Sequence, residues 1–341
     1  MVEMSERVFP RGKLPMEYLQ ELLQRYTARD ERVAAGARVG EDVAVIDMGD
    51  RYMVVKTDPV TFASDQIGWY VVHVNANDIA TSGARPLWML ATLLLPEDRT
   101  TPTLVESILA QIRDACAQIG VVLVGGHTEV TWGLTRPVVV GVMIGEVAKE
   151  RLITTAGARV GDKVLLVNGV PIEGTAIIAR EKAAELSARG YDEAFIARAQ
   201  GYLHTPGISV LAAARLAAAY DGVSAMHDPT EGGLATGLHE LAHAADAGLV
   251  LHLDAVPVLA EGRRLCAEYG LDPLGVIASG ALIVAVAPER AEGLLELYAR
   301  AGLPCACVAE LRPAAEGVWA ERNGERLTLP RYDTDEIARI L

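Results

Sequence analysis

The chain has 341 residues, with 31 basic and 45 acidic side chains and a formal net charge of −14. That balance excludes nucleic acid or an anionic membrane as the main partner, because both need a basic face, and it admits a phosphorylated ligand only if a cation comes with it. A hydrophobic content of 51% with 5% aromatics predicts a large aliphatic core, and the length predicts two domains.

Residues 14–26 carry the pattern of an amphipathic helix. Runs 43–48 and 52–57 are short and β-rich, and Gly49-Asp50 between them is a hairpin signal. Over 65–82, Ile67, Tyr70, Val71 and Val74 fall at helical spacing, and Gly83 and Pro86 mark the end. Run 87–95 predicts a buried strand, 103–119 a helix, and 121–124 and 136–147 two more strands. The polar stretch 148–161 reads as a boundary. Beyond it come a strand at 163–167, helices at 175–189, 209–220 and 233–247, a strand at 281–287 and a helix at 288–301. A last hairpin spans 318–329 and turns at Asn323-Gly324. Strands in groups with helices between them suit an α+β fold with domains at 1–148 and 149–341.

Cys116, Cys266, Cys305 and Cys307 show no CxxC pair and no disulfide-framework spacing, which fits a reducing compartment. Residues 1–15 are charged and do not read as a signal peptide. The apolar runs 87–95 and 138–144 fall far short of the roughly 18 residues of a membrane span. The expectation is a soluble cytoplasmic protein.

If the first hairpin turns at Gly49-Asp50, facing residues have numbers summing to about 99. Asp42 then lies beside Thr57 and next to Asp58. Two like charges that close are destabilising, so either they splay into water or a cation joins them. In the 65–82 helix the stripe Ile67, Val71, Val74 continues to Asp78, with Asn75 and Asn77 nearby. No Lys or Arg precedes Asp78 within a turn, so a metal ion or a hydrogen-bonded helix end must accommodate the carboxylate. Run 121–124 reads as a buried strand opening into Gly125-Gly126-His127-Thr128-Glu129, either a phosphate cradle or a plain turn. Before the 233–247 helix, His227-Asp228-Pro229-Thr230-Glu231-Gly232-Gly233 offers Asp228 or Thr230 as a cap, and the helix start could hold an anion. His239-Glu240-Leu241-Ala242-His243 matches the zinc pattern H-E-x-x-H, but a third histidine at metzincin spacing would fall on Leu249.

Taken together and in order, these segments resemble the AIR synthase (PurM) superfamily, and within it the hydrogenase-maturation HypE branch. Gly40-Glu41-Asp42-Val43-Ala44-Val45 is similar to its GDDAAV-type start, and Lys56-Thr57-Asp58 to its T-D segment. Asn77-Asp78-Ile79-Ala80-Thr81-Ser82-Gly83-Ala84-Arg85-Pro86 is similar to N-D-x-A-x-x-G-A-x-P. Gly125-Gly126-His127-Thr128 stands at G-G-[DE]-T, and Asp228-Pro229-Thr230-Glu231-Gly232-Gly233-Leu234 resembles D-P-T-R-G-G-L. The resemblance implies a two-domain fold in which N-terminal domains pair their sheets across a homodimer and the C-terminal domain is an α/β sandwich. ATP would bind in a cleft shared across that dimer. By match, Asp42, Asp58, Asp78 and Asp228 would hold Mg²⁺, and Lys56, Thr57, Asn77, Gly125, Gly126 and Thr128 would line the nucleotide. Members use ATP to activate the oxygen of an amide or a phosphate acceptor, largely by positioning and charge neutralisation. The H-E-x-x-H helix becomes a packing helix, with His239 and His243 incidental.

The chain also departs from the HypE pattern. His127 stands for an acidic ligand, with Glu129 as a substitute, and Arg11-Gly12-Lys13-Leu14-Pro15 replaces a glycine-rich stretch. Pro171-Ile172-Glu173-Gly174 replaces G-D-H-G. The last residues are Ile337-Ala338-Arg339-Ile340-Leu341, without the HypE tail cysteine, while Cys305 and Cys307 fall in a packed β-like run. The expected activity is that of an ATP-dependent enzyme whose acceptor, a small molecule or a protein-bound group, is unassigned. Two other readings stay open: a nucleotide-binding dimer without turnover in a hydrogenase-maturation complex, and a thiamin-monophosphate kinase-like phosphotransferase.

Overall fold

The computed structural model describes residues 8–9, 12–28, 30–61 and 65–341. Arg11 and most of the 1–15 stretch discussed above lie outside the described residues. In chain order the first half holds α1 (Met16–Tyr26), β1 (Val33–Ala35), β2 (Ala44–Asp47), β3 (Arg51–Val60), α2 (Ile67–Thr81), β4 (Arg85–Pro96), α3 (Pro102–Ile119), β5 (Val122–Thr131) and β6 (Val138–Ala148). These strands form one sheet in the order β1-β2-β3-β6-β4-β5.

The β2–β3 hairpin has the expected register, with Ala44 facing Val55 and Asp47 facing Tyr52. Gly49 turns it with a left-handed φ of 99°. β3 runs further than expected because it pairs with β6 along its whole length, from Arg51↔Ala148 to Val60↔Val139. α2 is buried on nearly every side, between the sheet, α3 and helices of the second half. Thr101 caps α3 by accepting from the Leu104 N–H at 3.2 Å, and Gly120 ends it in a left-handed conformation.

The second half holds β7 (Lys163–Val167), α4 (Ile172–Glu181), α5 (Ala183–Ala188), α6 (Glu193–Gly201), α7 (Leu211–Ala218), β8 (Val223–His227), α8 (Gly233–Ala244), β9 (Ala247–His252), α9 (Ala260–Tyr269), β10 (Leu282–Val286), α10 (Ala291–Arg300), β11 (Cys305–Pro313), β12 (Val318–Arg322) and β13 (Glu325–Thr328). Its sheet runs β13-β12-β9-β11-β7-β10-β8. β7 and β10 lie inside it and are almost wholly buried, because helices pack on both faces. Two mixed sheets, each covered by helices, give the α+β class that the grouping of strands predicts. Among the described residues no helix is long and apolar enough to cross a membrane.

Several expectations need correction. The helix expected at 175–189 is two helices, α4 and α5, broken at Lys182, where ψ swings to 15°. The helix expected to reach 247 stops at Ala244, because Asp246 turns left-handed and the chain enters the sheet as β9. The strand expected to end before Gly125-Gly126 continues through them to Thr131. That strand, β5, is not buried; it is an exposed sheet edge paired on one side only. The elements α6, β8, β9 and α9 carried no clear period in the sequence, and tertiary packing holds them.

Candidate metal and nucleotide site

Three carboxylates from distant segments meet between the two sheets. Asp42 precedes β2, Asp78 lies in the last turn of α2 and Asp228 follows β8, and each offers an oxygen within 4.8 Å of the others. Asp78 is buried, at 2% exposed, as expected, though α2 is buried on nearly every side and Val74 of the expected stripe is only half-buried. Asp228 is 1% exposed, and neither of its oxygens has a hydrogen-bond partner among the described residues. Burial first and the Asp42 charge second push the Asp228 carboxyl up to about 7, against the pull of His227 and Lys56. Burial likewise raises Asp78, helped by Asp228 and Asp58 and opposed by Lys56. Neither Asp228 nor Thr230 caps α8. Gly232 stands at the cap with a left-handed φ of 81°, and its N–H donates to Asp335 Oδ2 at 2.8 Å.

A partner for Asp78 does come from the protein, though not from its own helix. Lys56 on β3 places its Nζ 3.2 Å from Asp78 Oδ2 and 3.5 Å from Asp58 Oδ2. Lys56 and Asp58 are two residues apart on one strand and so share a face. Burial works against the ammonium, but Asp78, Asp58, Asp42 and Asp228 outweigh it and keep Lys56 charged. Asp58 reaches the cluster through Lys56 and is not one of the three close carboxylates. Its backbone is fixed by Asn75, whose Oδ1 accepts from the Asp58 N–H at 2.9 Å while Nδ2 donates to the Asp58 carbonyl at 3.2 Å.

His227, which sequence reading passed over, organises the other side. Its Nδ1 donates to Asp42 Oδ2 at 2.7 Å and its Nε2 donates to Glu240 Oε2 at 3.0 Å. A carboxylate on each nitrogen requires both to carry a proton, so the ring is an imidazolium. Burial opposes that charge, but Asp42 and Glu240 raise His227 well above its ordinary value. Asp42 in turn is held well below the carboxylate range: burial pushes it up, and His227, Lys56 and Lys13 more than reverse that. Lys13 closes the chain with Nζ 3.2 Å from Glu240 Oε1. The sequence signal that could have found His227 is its place one residue before Asp228 at the end of a strand.

Among the described residues the H-E-x-x-H helix contributes to no cluster of three metal-ligating groups. Glu240 is engaged by His227 and Lys13, His239 Nε2 donates to the Leu329 carbonyl at 3.0 Å, and His243 is exposed. Asn77, expected at the nucleotide, is buried here against the second half of the chain. Its Nδ2 donates to the Ile208 carbonyl at 2.8 Å and its Oδ1 accepts from the Val210 N–H at 2.9 Å, so both ends are spent joining α2 to the segment before α7. Thr57 is exposed on the face of β3 opposite Lys56 and Asp58. Gly125, Gly126 and Thr128 lie on exposed β5, facing Leu90, Ala91 and Leu93 of β4. Gly126 has to be glycine there, since a Cβ would stand 1.9 Å from the Ala91 carbonyl oxygen. His127 and Glu129 form an exposed pair at 3.1 Å on the same strand.

Beside the acidic cluster opens a cavity of about 1000 Å³, bounded by Lys13, Asp58, Arg136, Glu173, Glu231 and Ser279 among others. Glu173 is almost fully buried at its wall, and its Oε2 has no hydrogen-bond partner among the described residues. The chemistry fits a hard divalent cation: hard carboxylate oxygens converge, and Asp228 is buried with no hydrogen-bond partner among the described residues. Asp42, Asp78 and Asp228 are the residues that would hold it.

The family model described as AIR synthase related protein, N-terminal domain, matches residues 40–147, and that of the C-terminal domain matches residues 159–318. The chain belongs to the AIR synthase related family. It is 34% identical over 267 residues to carbamoyl dehydratase HypE of Cupriavidus necator, an overlap of 76% of this chain and 72% of that one. Among solved structures, E. coli HypE matches with a TM-score of 0.72 at 22% identity, over 95% of this chain and 99% of that one. AaThiL complexed with AMPPCP and TMP matches with a TM-score of 0.70 at 20% identity, over 92% and 94%. At those identities the likeness to the solved structures is one of fold.

Proposed function

We propose that this chain is an ATP- and Mg²⁺-dependent enzyme of the AIR synthase/HypE type, using ATP to activate the oxygen of an acceptor. The observation that carries this is the meeting of Asp42, Asp78 and Asp228, from three separate segments, within 4.8 Å. Mg²⁺ bound there would neutralise phosphate charge and link it to the carboxylates. Asp42 is kept ionised by His227, and Lys56 supplies a positive charge that phosphate oxygens can share. An amide acceptor is favoured over a phosphate acceptor, because the 34% identity to a carbamoyl dehydratase exceeds the fold-level likeness to AaThiL.

Residues 1–148 would carry the acidic start of the site and the dimer contact, and 149–341 the Asp228 side. A second copy of the chain is the proposed cover for β5. Its whole length is an open edge, and Val122, Val124, Val130 and the adjoining Trp132 are exposed. Pairing there would also bring Gly125, Gly126 and Thr128 into an enclosed surface.

Calorimetry with ATP, with and without Mg²⁺, on wild type and Asp228→Asn tests the metal reading; equal binding in all four cases would sink it. A turnover screen over carboxamide and phosphate acceptors, thiamin monophosphate included, then separates the classes. Tight Mg²⁺-dependent ATP binding with no turnover on any acceptor would favour the non-catalytic dimer of a maturation complex.

A further inference from the structure

We propose that Lys56 is a tethered cation that occupies one of the cation positions of the acidic cluster, so that a divalent ion enters fully only when a polyanion draws the ammonium away. This rests on the reading that Asp42, Asp78 and Asp228 hold the metal.

The geometry is specific. Lys56 Nζ sits between Asp78 Oδ2 at 3.2 Å and Asp58 Oδ2 at 3.5 Å, and its side chain is 14% exposed. A lysine is rarely buried unless paired, and here the pairs are two aspartates that the family resemblance assigns to metal. The surrounding backbone cannot drift. Lys56 faces Met143 and Asp58 faces Gly141 across the β3–β6 pair. α2 presses on that point so closely that a Cβ at Gly141 would stand 2.4 Å from Asn75 Nδ2, and Asn75 itself grips the Asp58 backbone. The backbone that carries Asp58 is therefore held, whereas the four-carbon lysine stem can swing.

A divalent ion at Asp78 would stand a few ångströms from this ammonium and be repelled by it. The triphosphate of a nucleotide changes the balance. It offers Lys56 an alternative anion and brings oxygens to the metal at the same time. Lys56 thus couples metal uptake to nucleotide uptake and disfavours an idle metal in the empty site.

The test is Mn²⁺ binding to the full chain without nucleotide, followed by electron paramagnetic resonance and calorimetry. Lys56→Met should bind Mn²⁺ about tenfold more tightly than wild type, and Lys56→Arg should stay near wild type. Adding AMPPCP should narrow the difference between Lys56→Met and wild type. Lys56→Gln gives a second neutral variant, and a larger Mn²⁺-induced rise in Tm than in wild type is the expected readout if Lys56→Met folds poorly. Equal Mn²⁺ affinity in wild type and both neutral variants overturns the inference while leaving the metal reading standing. No Mn²⁺ binding in any of these proteins, with or without AMPPCP, overturns both.

Discussion

His227 and Asp42, 185 residues apart in the chain, are joined by a 2.7 Å hydrogen bond in which the ring Nδ1 donates to the carboxylate. This bond ties the end of β8 in one sheet to the start of β2 in the other, and Glu240 completes it from α8. The charges on this chain, from exposed Lys13 through Glu240 and His227 to Asp42, alternate in sign, which is why His227 and the two carboxylates can be held together away from water.

Replacing His227 by Gln should therefore leave Asp42 and Glu240 with an uncompensated negative charge. A loss of about 3 kcal/mol is expected, at the low end of the range for breaking a buried ion pair. Urea unfolding at pH 7 measures it. A change below about 1 kcal/mol would mean that the pair is effectively solvated.

Asp228 has no hydrogen-bond partner among the described residues, and burial outweighs the pull of His227 and Lys56, so its charge is a cost to the metal-free fold. Asp228→Asn should stabilise the metal-free protein by about 1–2 kcal/mol at pH 8, because a carboxyl pushed up to about 7 is ionised there. The same variant should lose the Mg²⁺-dependent part of ATP binding. A variant less stable than wild type without metal would show that Asp228 has a stabilising contact in solution.

Asn77 is expected to act on the fold and not on the ligand. Asn77→Ala removes two buried bonds to the 208–210 backbone and should cost about 2 kcal/mol in unfolding free energy. Its Kd for Mg-ATP should match wild type at a temperature where both are folded. A tenfold weaker Kd with unchanged stability would restore Asn77 to the nucleotide.

Glu173 gives a pH dependence with a definite sign. Burial pushes its carboxyl from 4.5 up to about 7, with Ser279 pulling the other way. A raised carboxyl binds its proton more tightly in the folded state, so its contribution is intact below pH 4.5 and is lost as pH rises through about 7. The loss approaches ~3 kcal/mol at higher pH. Glu173→Gln should abolish it, so the variant should gain on wild type between pH 5 and pH 8 in urea unfolding. A constant difference across that range would contradict the assignment.

The sequence by itself determined what depends on neighbours along the chain. The pattern around Gly49 set the pairing of Ala44 with Val55, the spacing of Ile67, Val71 and Val74 set the helix that carries Asp78, and Asn323-Gly324 marked the last turn. Ordered motifs around Asp42, Asp78 and Asp228 led to the family before any contact was visible. Tertiary structure alone decided which groups face those carboxylates. Lys56 reaches Asp78 because β3 packs under α2, and His227 reaches Asp42 because the end of β8 meets the start of β2. It also spent Asn77 on the 208–210 backbone and left β5 open along one edge. Periodicity reports the face of one element; the partner on that face comes from another element, through packing that no local pattern records.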